Sequence, residues 1–329
     1  MTETAHAYEA LTPDCIIDAV ESQGFVSDAR ILGLNSYENR VYQVGIEDGS
    51  PVIAKFYRPG RWTDAQIIEE HQYTRYLADL EIPVVAPIAN ADGATLFTHA
   101  NFRFALYPRQ GGHAPELDQW GNLTVIGRFL GRVHAASAGQ LFEYRPAISI
   151  ASYGSDSVAY LLENQFLPAE LEQAYQSLCN DLVSRIERRF TDTYYTAIRL
   201  HGDCHAGNIL WRDDSPHFVD FDDARNGPAV QDLWMLLSGE REQQTVQLQK
   251  LLTGYRQFCD FNRAELNLIE SLRTLRIMQY AAWLARRWDD PAFPMNFPWF
   301  NTQRYWSNHI LELREQLALL DEPPLQVVL

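Results

Sequence analysis

The chain has 329 residues, 46% of them apolar, and a formal charge of −16 from 27 Lys and Arg against 43 Asp and Glu. That length suggests about two domains or lobes with sizeable cores, and the negative charge argues against nucleic acid or an anionic membrane as partner, since both require basic patches. No run reaches the roughly 18 apolar residues of a membrane span, and residues 1–10 lack the basic and apolar segments of a leader peptide, so a soluble cytoplasmic protein is expected.

In chain order, Thr12 to Gln23 reads as a short helix ending at Gly24. Val41 to Val44 and Pro51 to Tyr57 are rich in β-branched and aromatic residues, with Asp48-Gly49 as the turn between them. Lys55 sits on the second of these strands in the sequence V-I-A-K, the setting of the lysine that contacts the α and β phosphates of ATP in kinases. A lone strand lysine is ordinarily a solvated edge residue, so the match gains its weight from the position of Lys55 well ahead of the loop around Asp203, in kinase order. Trp62 to Leu80 has helical spacing with Thr63 as N-cap. It carries Glu69 and Glu70, and Glu70 is the preferred partner to orient Lys55. Phe104 to Gly112 turns from apolar to turn-rich, as a hinge would. Backbone groups around Leu106, Tyr107 and Arg109 are expected to contact adenine. Beyond it the pattern is helical over 117–136, 157–190, 232–261, 263–288 and 300–320. His134, closing the first of these, is expected to be structural.

The chemistry concentrates in His201-Gly202-Asp203-Cys204-His205-Ala206-Gly207-Asn208 and in Phe218-Val219-Asp220. Phosphoryl transfer needs an acidic group to take the attacking hydroxyl's proton, and an amide and a second carboxylate to hold metal against the triphosphate. Asp203, Asn208 and Asp220 provide these, and Asn208 follows Asp203 by five residues, as in the kinase loop H-R-D-x-x-x-x-N. A solvated polar turn would use the same residue types. The apolar flanks favour two short strands joined around Arg212 to Pro216, a hairpin that would bring Asn208 and Asp220 to one Mg²⁺. The scattered cysteines Cys15, Cys179, Cys204 and Cys259 form no C-x-x-C pair and indicate neither zinc nor a disulfide framework. Cys204, beside the candidate base, is expected to pack.

The order Lys55, Glu70, His201-Gly202-Asp203, Asn208, Asp220 resembles the aminoglycoside phosphotransferase and choline kinase superfamily, whose loop reads H-G-D-x-x-x-x-N. The longer strings HGDCHAGNILW and FVDFDDARNGPAVQDLWMLL are similar to a subgroup of bacterial stress-response serine/threonine protein kinases within it. The resemblance covers residues from about 30 onward. It implies an α+β, bilobal protein-kinase-like fold: an antiparallel β-sheet N-lobe with one main helix (1–107), a hinge (108–113) and a mainly helical C-lobe (114–329). It implies an ATP- and Mg²⁺-dependent kinase, with Asp203 and Asp220 catalytic, Asn208 and Asp220 on the metal, and Ser36, Lys55, Glu70, Leu106, Tyr107 and Arg109 around the nucleotide. A protein substrate bearing a Ser or Thr hydroxyl follows from the resemblance alone. The alternatives are a small cationic alcohol as acceptor, in a kinase of the aminoglycoside, choline or homoserine type, and a pseudokinase that binds without catalysis. A monomer is expected.

Departures from the pattern limit these expectations. Gly33 to Arg40 stands where a glycine-rich phosphate loop belongs; its amides and the Ser36 hydroxyl would contact phosphate, or it is a plain hairpin turn. Asp220-Phe221-Asp222 lacks the usual glycine, so a swinging metal motif is not expected, and Asp222 and Asp223 are read as solvated or as indirect aids to the metal. Asp232 follows Asp220 by only 12 residues, which leaves no room for an activation loop. It is read either as an anchor of the catalytic loop, by superfamily analogy, or as a helix N-cap. The aromatic residues from Trp283 to Trp306 would cage an alkylammonium group or, more in keeping with their number, pack on the lobe.

Overall fold

In the computed structural model, which describes residues 7–328, helix α1 (Pro13–Glu21) starts where the Thr12 hydroxyl accepts the Cys15 amide. The leader-peptide expectation concerned residues 1–10, of which 1–6 lie outside the described residues. Strands β1 (Ser27–Gly33), β2 (Arg40–Ile46) and β3 (Val52–Phe56) follow, and Asp48 takes a left-handed conformation in the predicted turn. Helix α2 (Asp64–Asp79) opens with a capping box in which Thr63 and Gln66 satisfy each other's amides. With β4 (Phe97–His99) and β5 (Phe102–Pro108) the strands form one antiparallel sheet ordered β1-β2-β3-β5-β4.

Alternation along these strands decides which side chains meet the cleft. Val52, Ala54 and Phe56 of β3 and Phe102, Phe104 and Leu106 of β5 join Ile16, Ala19 and Val20 of α1 in one core. Ile53 and Lys55 consequently point to the other face.

The C-terminal part begins with α3 (Trp120–Ala136). A single π turn over 151–155 leads into α4 (Asp156–Glu163) and α5 (Ala169–Asp192). Strand β6 (Ile198–Leu200) pairs with β9 (Arg225–Gly227), and between them β7 (Ile209–Arg212) pairs with β8 (Ser215–Phe218). Asp213 and Asp214 both have positive φ, giving the tight two-residue turn of the expected hairpin. Helices α6 (Gln231–Trp234), α7 (Arg241–Tyr255), α8 (Ile269–Ala285), α9 (Ala292–Asn296) and α10 (Gln303–Leu319) complete the chain.

Two long helices expected from the sequence are broken. The stretch 157–190 is interrupted after Glu163, where Gln165 takes a left-handed φ and Pro168 restarts the chain as the N-cap of α5. The stretch 232–261 breaks at left-handed Gly239. The segment 263–288 begins as a 3₁₀ turn before α8. Helices α3 and α7 touch backbone to backbone: a Cβ at Gly127 would lie 2.0 Å from the Leu251 carbonyl oxygen, and one at Gly254 would lie 1.9 Å from that of Thr124. The aromatic segment packs rather than cages. Phe293, Phe300 and Trp306 are fully buried in the helical core. No helix among the described residues is long and apolar enough to cross a membrane, and the four cysteines are free.

Candidate active site

The catalytic loop is built around a buried carboxylate. Asp232, with no exposed surface, accepts the amides of His201 and Gly202, each at 2.8 Å, and Nε2–H of His134 at 3.0 Å. It is thus the loop's anchor, and His134, which also meets the Tyr255 hydroxyl at 2.9 Å, is structural. Gln231 adds a bond to the Gly202 carbonyl. Gly202 is required here: its φ is +85°, and a Cβ would lie 2.1 Å from the Asp223 carbonyl oxygen. That contact explains glycine where other kinase loops carry arginine.

His201 donates from Nε2 to the Val219 carbonyl at 2.9 Å, so its Nδ1 is left to accept the Asp203 amide at 3.3 Å. The imidazole thereby ties the catalytic loop to the strand end that carries Asp220. Asn208 closes the loop by donating from Nδ2 to the Asp203 carbonyl at 3.0 Å, while the Val219 amide donates to the Asn208 carbonyl. Asp220 is left-handed at φ 59°, a conformation that costs a non-glycine residue roughly 1 kcal/mol or more and is typical of functional sites. Its carboxylate is half exposed.

Lys55 reaches this loop from the sheet. Its Nζ lies 2.8 Å from Asp220 and 3.3 Å from Asp222. Burial alone would lower its pKa, but the two carboxylates outweigh it and hold the ammonium well above its ordinary value. The expected partner Glu70 does not make that ion pair. Helical rotation does turn Glu70 inward, fully buried, while Glu69 turns out to accept the amides of Glu143, Tyr144 and Arg145. Burial pushes the Glu70 carboxyl up to about 7 against the pull of Lys55 and Arg145, and its Oε2 has no hydrogen-bond partner among the described residues.

Of the two readings of these carboxylates, solvation fails for Asp222, which is buried, whereas the Asp223 side chain stays about one-third exposed. Arg61 lies 2.7 Å from Asp222 and 2.9 Å from Asp223, and Arg225 lies 2.6 Å from Asp223. Desolvation, which would raise the Asp222 carboxyl, is overridden by Arg61 and Lys55, leaving it at about 2. Arg145 donates twice to the Asp222 carbonyl, and Phe221 packs on Tyr73 and His201. These contacts tie the segment down on several sides.

A cavity of about 360 Å³ opens between sheet and loop, lined by Leu34, Ser36, Val41, Ile53, Lys55, Glu70, Val85, Tyr107, Asn208, Leu210 and Asp220. Lys55, Ser36, Glu70, Tyr107, Asn208 and Asp220 therefore share one cleft. The side chains of Leu106 and Arg109, expected to meet the nucleotide through their backbone, do not line it. The Leu106 side chain belongs to the core shared with α1, and its carbonyl already accepts the Ile88 amide at 2.7 Å. Arg109 is exposed and donates to Gln43 at 2.8 Å. Pro108 and Gln110 line the cleft wall beside them.

Several charged residues at the site had no sequence signal. Asp203 pairs at 2.7 Å with Arg276 of α8 and lies 3.5 Å from His205. Burial works to raise its carboxyl, and His205 and Arg276 together hold it below the ordinary value. Glu38, on the turn between β1 and β2, meets Arg58, Arg61 and Arg287 and accepts from Trp283. Beside it Tyr37 packs on Phe297 with centroids 4.8 Å apart, so the turn over 34–39 is seated on the late aromatic segment. Cys204 is fully buried and its thiol is pushed well up, consistent with packing.

Comparison with known proteins agrees with this geometry. Residues 30–269 match the model of the phosphotransferase enzyme family. Stress response kinase A of Escherichia coli strain K12 is 46% identical over 99% of both chains, and serine/threonine protein kinase RdoA of Salmonella typhimurium is 44% identical over the same share. Among solved structures, amicoumacin kinase hAmiN in complex with AMP-PNP, Ca²⁺ and Ami superposes with a TM-score of 0.72 at 20% identity, over 94% of each chain. A microcompartment-associated aminopropanol kinase does so at 0.68 and 17%, over 92% of this chain and 96% of the other. With its kinase-like fold and full-length likeness to named kinases, the chain belongs to the phosphotransferase enzyme family.

Proposed function

We propose that the protein is an ATP- and Mg²⁺-dependent serine/threonine protein kinase acting in a bacterial stress response, as a cytoplasmic monomer. The observation that carries the catalytic part is the convergence of Lys55, Asn208 and Asp220 on one cleft, with Asp203 bonded to Asn208 at its C-lobe side. The protein acceptor and the stress role are supported by the names of the full-length relatives.

The cleft suits the nucleotide. Val41, Ile53, Val85 and Leu210 offer apolar walls to a purine, and Lys55 offers a positive charge beyond them. Asn208 and the half-exposed Asp220 present oxygen donors to the same space, the donor type that Mg²⁺ takes alongside phosphate oxygens. When bound there, Mg²⁺ would neutralise charge on the transferring phosphate. Lys55 leaves its pair with Asp220 to hold the α and β phosphates, and buried Asp222 keeps the ammonium charged. Glu70 supplies a second carboxyl beside it. Asp203 accepts the proton of the acceptor hydroxyl as that oxygen bonds to the γ-phosphorus and the bond to the ADP leaving oxygen breaks. His201 and Asp232 hold Asp203 in place.

The likeness to kinases named for amicoumacin and aminopropanol favours a second reading, a small-molecule alcohol as acceptor. One experiment separates the two. Wild type and Asp203→Asn are incubated with γ-labelled ATP and Mg²⁺ in host lysate, and macromolecules are separated from metabolites. Asp203-dependent label on protein Ser or Thr supports the proposal, and label confined to a metabolite replaces it with the second reading. Absence of Asp203-dependent label from both fractions rejects catalysis under those conditions.

A further inference from the structure

The carboxylate assigned as catalytic base is already occupied from the C-lobe side. Arg276, in the middle of α8, places Nη1 2.7 Å from Asp203 Oδ1, and about a third of its side chain remains exposed. The other acidic group nearby, Asp223, is held by Arg61 at 2.9 Å and Arg225 at 2.6 Å. Among the described residues Arg276 therefore has one carboxylate partner, and that partner is the group that must receive the acceptor's proton. The guanidinium stands against a carboxylate oxygen that the acceptor's hydroxyl would have to reach, so the pair as it stands suits rest better than proton abstraction.

The surroundings bear on what enters. Tyr153, on the π turn, lies under the Arg225 guanidinium at 5.1 Å, and Tyr280 stands one helical turn beyond Arg276, more than a third exposed. The whole chain carries −16, which would draw cations toward it, but the base itself is flanked by a part-exposed guanidinium and by the imidazole of His205. A guanidinium presents a planar fork of donors that matches carboxylate or phosphate oxygens.

We propose that Arg276 selects the acceptor: it binds an anionic group adjacent to the phosphoacceptor hydroxyl and, in turning to it, releases Asp203 to act as base. The inference rests on the kinase reading above and narrows it. The favoured substrate is a Ser or Thr segment with a carboxylate or phosphate beside the hydroxyl, and a cationic amino alcohol is disfavoured because its ammonium would meet Arg276. Because the guanidinium is part-exposed, exchanging one anion for another requires little additional desolvation.

The test uses full-length protein, Mg²⁺ and γ-labelled ATP with four peptides identical except beside a central Ser: Asp, phosphoserine, Ala or Lys. Aminopropanol and choline serve as separate acceptors. Wild type is expected to favour the Asp or phosphoserine peptide over the Lys peptide by at least tenfold in kcat/KM, and the ranking of those two tells which anion is read. Arg276→Glu is expected to reverse the order, Arg276→Gln to flatten it mainly through KM, and Arg276→Lys to restore part of it. A merely structural role would lower all peptides alike, so an unchanged order in Arg276→Gln overturns the inference. Flat wild-type preference, or amino alcohols outrunning every peptide, also overturns it while leaving phosphotransfer standing. Should wild type consume no ATP in an Asp203-dependent manner, even with water as acceptor, the kinase reading falls and this inference with it.

Discussion

Replacing Asp232 with Asn tests whether the catalytic loop is held by one buried carboxylate. In wild type its two oxygens accept the His201 and Gly202 amides at 2.8 Å, and one also takes His134 Nε2–H at 3.0 Å. An Asn side chain keeps one oxygen and turns an NH₂ toward the other amide, donor against donor. A hydrogen bond to a charged acceptor contributes about 1.5–3 kcal/mol, and a buried amide left unpaired costs about 1–3 kcal/mol. The site has no exposed surface, so water does not repair the loss. Together these give about 3 kcal/mol or more, which at a urea dependence of ~3 kcal/mol/M lowers the midpoint by about 1 M. Asp203 lies one residue beyond the tethered Gly202, and a displacement of ~1 Å at a reacting group costs about a hundredfold in rate. Urea unfolding followed by tryptophan fluorescence measures the first, and phosphate transfer in native buffer the second. A midpoint within about 0.2 M of wild type together with unchanged turnover would refute the anchoring argument.

Gly202→Ala forces a Cβ to 2.1 Å from the Asp223 carbonyl at a φ of +85°; a loss of about 3 kcal/mol and of most activity is expected, and a stable, active alanine variant would show that the loop relaxes. Asp220→Ala is expected to weaken nucleotide binding in Mg²⁺ more than in EDTA, read by titration calorimetry, whereas an unchanged Mg²⁺ dependence rejects Asp220 as a ligand. The Glu265 carboxyl is raised by burial to about 7 while accepting the Val230 amide. The native state therefore holds a proton that the unfolded chain releases near its ordinary value, so stability falls as pH rises from about 4.5 to 7 and is level above. Glu265→Gln removes that slope and is expected to gain on wild type by up to about 3 kcal/mol at pH 8 but little at pH 4.5. A pH-independent difference between the two proteins defeats the assignment. Glu70, raised to about 7 as well, adds the same slope to both and cancels in the comparison.

Local pattern by itself determined much of this protein. β-branched and aromatic content placed Lys55 on a strand; the apolar flanks around Arg212 to Pro216 specified the hairpin after Asn208; Thr63 as N-cap marked the start of α2. These features rest on contacts between residues close in sequence, which is why they can be read without a structure. The long helices were misjudged where Gln165 and Gly239 turn left-handed, because apolar residues continue on both sides of each short break. Tertiary structure alone decided the pairing of charges. Sequence leaves Glu69 and Glu70 alike, and only the packing of α2 sends one to the amides of 143–145 and the other into the cleft. Arg276 and Arg61 look like any arginine until the fold brings them onto Asp203, and onto Asp222 and Asp223. A charge carries no periodic mark of its partner, and across 73 or 162 residues of chain the partner is chosen by which elements the fold packs together.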